Sequence, residues 1–153
     1  VKSAPTPKKS EVKADKPEKA EDRKREIEVI RHGKLESLAS LCIPKMFKED
    51  NLRLFDDKIM ETIELCDMHN PEGIVASIIG MQERNDIQAV YENPAVPILA
   101  FEGDNDRFMN IEDVREMISK FPKIKHCLLE NTGHCSFIEA EEQVYQQMCE
   151  FIG

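Results

Sequence analysis

Apolar positions follow a helical spacing up to residue 86 and then change to an unbroken run at residues 97–101. The first part reads as four short amphipathic helices. Asp15 is a cap residue for the first, with Pro17 and Glu18 in the opening turn, Ile27 and Ile30 on its apolar side and Gly33 as its stop. Leu35, Leu38 and Leu41 share one side of a second helix, which Ile43-Pro44 should end. A loop with Met46 and Phe47 leads to Asp50, read as the cap of a third helix. That helix carries Phe55, Ile59, Ile63 and Cys66, or Leu52, Phe55, Ile59 and Ile63. Asn70-Pro71-Glu72 opens a fourth, with Ile74, Ile78 and Met81 on one face, and Arg84-Asn85-Asp86 leaves it. These apolar faces predict helix packing first, and a lid over a pocket second.

Beyond residue 95 the period is different. Pro97-Ile98-Leu99-Ala100-Phe101 reads as a strand buried on both faces, as in a parallel sheet. Asn110 caps a helix with Ile111, Val114, Ile118 and Phe121 on one face, and Asp113 echoes a capping box. Lys125 to Glu130 is a second short strand. A last helix runs from Glu139 to Ile152 with Val144, Met148 and Phe151 on one face. Strand, helix, strand, helix is a βαβα unit, so the strands are parallel and the class is α/β. Three parts follow: a disordered tail or linker over 1–14, a helical region over 15–95, and the βαβα unit over 96–153. The tail is rich in Lys, Pro, Ser and Ala, a composition that buries too little surface to offset its ordering entropy.

Composition narrows the function. Hydrophobic residues make up 41% of the 153-residue chain, enough for one domain with a real core. With 21 basic and 30 acidic residues the formal charge is −9, which disfavours a nucleic-acid partner and an anionic membrane. The five cysteines, Cys42, Cys66, Cys127, Cys135 and Cys149, form no Cys-x-x-Cys pair, and several fall inside apolar runs. They read as reduced, mostly buried thiols, with no disulfide framework and no metal site. No apolar stretch would span a bilayer and no signal-peptide pattern occurs, so the expected location is cytoplasmic.

The candidate chemistry lies in the two loops that follow the strands. Parallel strands send their following loops to the same edge of the sheet, the edge where ligands and catalytic groups sit in open α/β sheets. Gly103-Asp104-Asn105-Asp106 and Asn131-Thr132-Gly133-His134 are therefore neighbours, and Asp106 is placed to accept a hydrogen bond from the His134 imidazole. Such a pair is the acid–base half of a catalytic triad.

These residues resemble the α/β-hydrolase family. Val96 to Asp106, with Gly103 and Asp106 in Gly-x-x-Asp spacing, looks like that family's late strand and acid loop. Asn131 to Glu139 looks like its histidine loop and the start of its last helix. Met81 to Asp86 resembles the return from the lid, and Asp15 through Phe47 resembles the helical cap. The resemblance spans roughly residues 15–153 and implies an ester or similar bond as target, Asp106 as triad acid in preference to Asp104, His134 as general base, and no cofactor. The family's nucleophile is a serine in Gly-x-Ser-x-Gly, ahead of acid and lid. This sequence has no such pentapeptide: Ser3, Ser10, Ser37, Ser40, Ser77, Ser119 and Ser136 all lie in other contexts.

Other readings carry less. Asp104-Asn105-Asp106 begins like a calcium loop, but Phe108, Met109 and the missing glycine contradict an EF-hand. His32, His69 and His126 have no partner pattern and read as surface or lid residues. Cys135 beside His134 reads as a small buried side chain, not a thiol nucleophile. Two functions remain. The first is a fragment of a serine hydrolase that carries lid, acid and base, is inactive alone, and takes a small-molecule substrate once its front half is supplied. Two parallel strands lacking neighbours favour this reading and imply self-association through exposed strand edges. The second is a non-catalytic helical module that binds a protein partner.

Overall fold

Helical propensity and capping explain most of the first half. The structure, a computed structural model, describes residues 17–153; the tail read over 1–14 and the cap assigned to Asp15 lie outside the described residues. Helix α1 (Pro17–Arg31) ends at Gly33, whose φ of +72° suits a glycine and whose N–H donates to the Ile30 carbonyl. Helix α2 (Leu35–Cys42) stops before Pro44. Two single 3₁₀ turns, Pro44–Met46 and Glu49–Asn51, follow, and then α3 (Asp56–Asp67) and α4 (Pro71–Gln82). Asn70 caps α4 by accepting from the Glu72 N–H, as its Asn-Pro-Glu opening predicts.

Four expectations about these elements change. Asp50 does not cap a helix: it sits within the second 3₁₀ turn and pairs with the Lys48 ammonium, while α3 starts at Asp56. The buried face of α2 runs through Leu35 and Ala39 toward Ile43, which turns Leu41 outward, 65% exposed. Met81 likewise lies off the Val75–Ile78 face of α4. A fifth helix, α5 (Gln88–Glu92), has no counterpart in the apolar pattern because its five residues bury a single ring, Tyr91.

Strand β1 (Leu99–Gly103), helix α6 (Ile111–Lys120) and strand β2 (Lys125–Leu129) form the expected parallel βαβ unit, with Leu99 opposite Lys125 and Gly103 opposite Leu129. Asn110 caps α6 by accepting from the Glu112 N–H. The final helix is broken at Ala140 into α7 (Ser136–Glu139) and α8 (Glu141–Ile152). Val144 is its buried anchor, whereas Met148 is exposed. The fold is α/β: a helical region followed by a βαβα unit. Among the described residues the sheet has two strands, so Leu99, Ala100 and Phe101 are only half-buried, not covered on both faces as their run predicts. None of the described helices is long and apolar enough to cross a membrane.

Three clusters make the core. Ile27, Ile30, Leu35, Val75 and Ile78 join α1, α2 and α4. Tyr91, Phe121 and Ile124, with Ile98 and Ala100 against them, seat α5 and the end of α6 on β1. The remaining cluster matters most for function. Ala39, Ile43, the fully buried Phe47 and Ile59 share it with Cys135, and Ile138 packs on its margin. The helical region and the second strand-end loop thus have a common core.

Candidate active site

Each of the two loops contains a position where a side chain would not fit. Gly103 closes β1 against the backbone of the second loop: a Cβ there would lie 2.2 Å from the Gly133 carbonyl oxygen and 2.4 Å from that of Thr132. A Cβ on Gly133 would lie 2.7 Å from the Lys48 nitrogen and 2.8 Å from the Met46 carbonyl oxygen. The glycines permit three backbones, those of the two loops and of segment 46–48, to stack in contact. Hydrogen bonds then fix the stack. The Asp104 N–H donates to Leu129 O at 3.0 Å, the Asn105 N–H to Thr132 O at 2.9 Å, and the Cys135 N–H to Met46 O at 3.0 Å. Asn131 takes the left-handed conformation, φ 57°, at the turn out of β2, a conformation that Asn tolerates better than most residues.

The structure brings Asp106 and His134 together. His134 Nδ1 lies 2.7 Å from Asp106 Oδ2, and Asp106 Oδ1 accepts from the Phe108 N–H at 2.7 Å. The Asp106 side chain is 6% exposed and that of His134 24%. Because a carboxylate only accepts, the bond places a proton on Nδ1 and leaves Nε2 as the basic nitrogen on a partly open ring. The Phe108 ring covers part of the imidazole, with centroids 5.2 Å apart.

Asp104 points elsewhere. Its Oδ1 accepts from the Thr132 N–H at 3.2 Å and the Asn105 side-chain amide, so it braces loop to loop. Burial pushes its carboxyl upward, but hydrogen bonds from Asn105, Thr132 and Asn131 and the Lys48 charge outweigh this and hold it below its ordinary value. The Asp104-Asn105-Asp106 run is thus two carboxylates with separate tasks. The cysteines are less buried than expected: Cys135 is buried in the shared core, Cys42, Cys66 and Cys127 are half-buried and Cys149 is exposed, although partial burial still pushes the thiols of Cys42, Cys66 and Cys127 up.

His126 corrects the reading of it as a surface or lid residue. It lies on β2 with its side chain 5% exposed, and its Nδ1 is 2.8 Å from Oε1 of the equally buried Glu102 on β1. His32 and His69 do lie on exposed helix ends, each ring bonded to a carbonyl four residues back.

Segment 46–51 and Glu139 surround the pair, and apolar spacing gave them no role beyond packing and helix starts. Glu139 Oε2 accepts from the Gly133 N–H at 2.7 Å. Its Oε1 accepts from the Lys48 N–H and the Asn51 side-chain amide, both at 2.9 Å. Asn51 also donates to Asn131 O, and Lys48 Nζ to Asn131 Oδ1. Arg107, beside Asp106, pairs with Glu49 at 2.6 Å. The only signal in the sequence was a Glu five residues after His134, and two of its three donors, Lys48 and Asn51, lie some ninety residues upstream.

No protein-family model and no curated protein matches the sequence. Solved structures do match it. A thermophilic esterase from Thermogutta terrifontis, in a malate-bound structure, superposes with a TM-score of 0.82 at 26% identity, over 92% of this chain and 52% of that one. The enol-lactonase of Burkholderia xenovorans LB400 gives 0.77 at 18% identity over the same shares. A bromoperoxidase from Bacillus anthracis gives 0.72 at 14% identity, over 96% of this chain and 52% of its own. The chain spans about half the length of each.

Proposed function

Starting from a chain that has the fold of part of an α/β-hydrolase, we propose that it carries the acid and base of a serine hydrolase acting on an ester or similar bond. On this reading residues 96–153 are the carboxyl-terminal part of the core, and the described residues 17–95 of the helical region are the lid. The observation that carries this reading is the 2.7 Å bond between His134 Nδ1 and Asp106 Oδ2, at the ends of two adjacent parallel strands.

The chemistry follows from that bond. Asp106 holds the ring in the Nδ1–H tautomer and stabilises the imidazolium that forms later. Nε2 takes the proton of a serine hydroxyl as its oxygen attacks the ester carbonyl. The imidazolium then gives that proton to the departing alkoxide, leaving an acyl-enzyme. A water, deprotonated by the same Nε2, attacks the acyl carbon and frees the acid, and the serine recovers the proton. On this proposal the serine on its elbow and the donors that stabilise the oxyanion are supplied from outside these 153 residues, which hold no Gly-x-Ser-x-Gly. The likeness to an esterase at 26% identity supports ester as the substrate class.

The test is hydrolysis of p-nitrophenyl esters. The 153-residue chain alone should give no turnover that His134→Ala removes. A longer polypeptide from the same reading frame, carrying Gly-x-Ser-x-Gly upstream, should give turnover that both His134→Ala and Asp106→Ala abolish. Robust activity of the longer polypeptide that survives His134→Ala contradicts the proposal.

A second reading, a helical module that binds a protein, draws on the exposed Leu41, Leu54 and Met68 of the helical region. It requires the chain alone to be a stable, folded monomer by light scattering. The hydrolase reading expects self-association, with the open edge of β1 and the exposed Tyr145, Met148 and Ile152 of α8 uncovered.

A further inference from the structure

Glu139 joins two parts of the chain that no sheet hydrogen bond connects. Its two oxygens accept three N–H donors: Gly133 from the histidine loop on one, Lys48 and Asn51 from segment 46–51 on the other. Gly133 precedes His134. The same segment is bound to the histidine loop three more times, through Met46 O to the Cys135 N–H, Asn51 to Asn131 O, and Lys48 Nζ to Asn131 Oδ1. It reaches the acid loop as well, through Glu49 and Arg107. β2 ends at Leu129, five residues before the imidazole, and the turn between them contains a left-handed Asn131. The sheet therefore delivers the start of the loop, and something else must hold its end.

We infer that Glu139 is a positioning residue for His134: its carboxylate clamps the histidine loop to segment 46–51, so that the segment fixes where the imidazole meets Asp106. This rests on the hydrolase reading for its functional meaning, since it makes the lid segment between α2 and α3 part of the base's support. A carboxylate is needed because both oxygens must accept. A glutamine would keep an oxygen toward Lys48 and Asn51 and turn its NH₂ toward the Gly133 N–H, donor against donor. Alanine removes both arms and leaves three buried or half-buried donors without an acceptor.

The experiment is NMR on the 153-residue chain. Backbone amide exchange at Gly133 and Lys48 reads the clamp, and the low-field Nδ1–H proton of His134 reads the dyad. Glu139→Gln should speed exchange at Gly133 by about tenfold to a hundredfold, the loss expected for a hydrogen bond to a charged acceptor, while Lys48 stays protected. Glu139→Ala should speed both and weaken or abolish the His134 signal. Asp106→Asn is the control: it should remove the His134 signal while Gly133 stays protected, which separates failure of the dyad from failure of the clamp. Should Glu139→Ala unfold the chain, Asn51→Ala, which removes one donor to Glu139 together with the bond to Asn131 O, should broaden the His134 signal in a folded protein. A folded Glu139→Ala variant with Gly133 exchange and the His134 signal unchanged overturns the inference, as does an Asn51→Ala variant with both unchanged.

Discussion

At the scale of single residues, the site depends on places where a side chain is excluded as much as on those where one reacts. Gly103→Ala would drive a Cβ into the carbonyl oxygens of Gly133 and Thr132, both backbone atoms that cannot rotate away. The expected outcome is destabilisation of at least about 1–3 kcal/mol, the usual cost of overpacking, seen as a lower urea midpoint with a shifted His134 resonance. An unchanged midpoint would mean the two loops are not in contact. Glu102 supplies a pH test. Burial pushes its carboxyl above the ordinary 4.5, against the pull of its hydrogen bond from His126 and the His126 charge. The folded chain thus holds that proton more tightly than the unfolded chain. The stability this contributes is full below pH 4.5 and lost as pH rises through the raised folded value. Glu102→Gln cannot titrate, so its stability relative to the parent should grow as pH rises through that window. Parallel urea-stability curves would contradict it. Asp106 and His134 were legible because strand periodicity alone sends both loops to one edge. The Glu102–His126 pair was not, because its partners meet across the sheet, and only the register that sets His126 opposite Ala100 brings the ring beside Glu102.

At the scale of elements, helix α4 and the βαβ unit were readable from period and caps, and Asn70 and Asn110 do what their positions predict. Segment 44–51 was not, since its two 3₁₀ turns have no period long enough to register and their partners lie far along the chain. Helix α7 escaped for a similar reason: its four residues are too few to show a period. Phe47 ties these elements together, being fully buried between the helical region and Cys135. Phe47→Ala should cost about 3–5 kcal/mol, measured by chemical denaturation, and should alter the His134 environment through Cys135, its neighbour in the core. A loss of stability with no change at His134 would separate the core from the site.

At the scale of the molecule, 92% of the chain matches about half of an α/β-hydrolase structure, and among the described residues its sheet has two strands where a parallel sheet needs cover on both faces. The apolar run of β1 was legible as sheet core, but its covering was not, because the atoms that would bury Leu99 and Phe101 are not among the described residues. What the chain does possess is a carboxylate and an imidazole set against each other by two loops and a shared core. The most direct test reads the ring itself, through the ¹⁵N chemical shifts of His134 in the parent and in Asp106→Asn. The ring should hold the Nδ1–H tautomer in the parent and lose that preference in the variant. An Nε2–H tautomer in the parent, or a ring indifferent to Asp106→Asn, would contradict it.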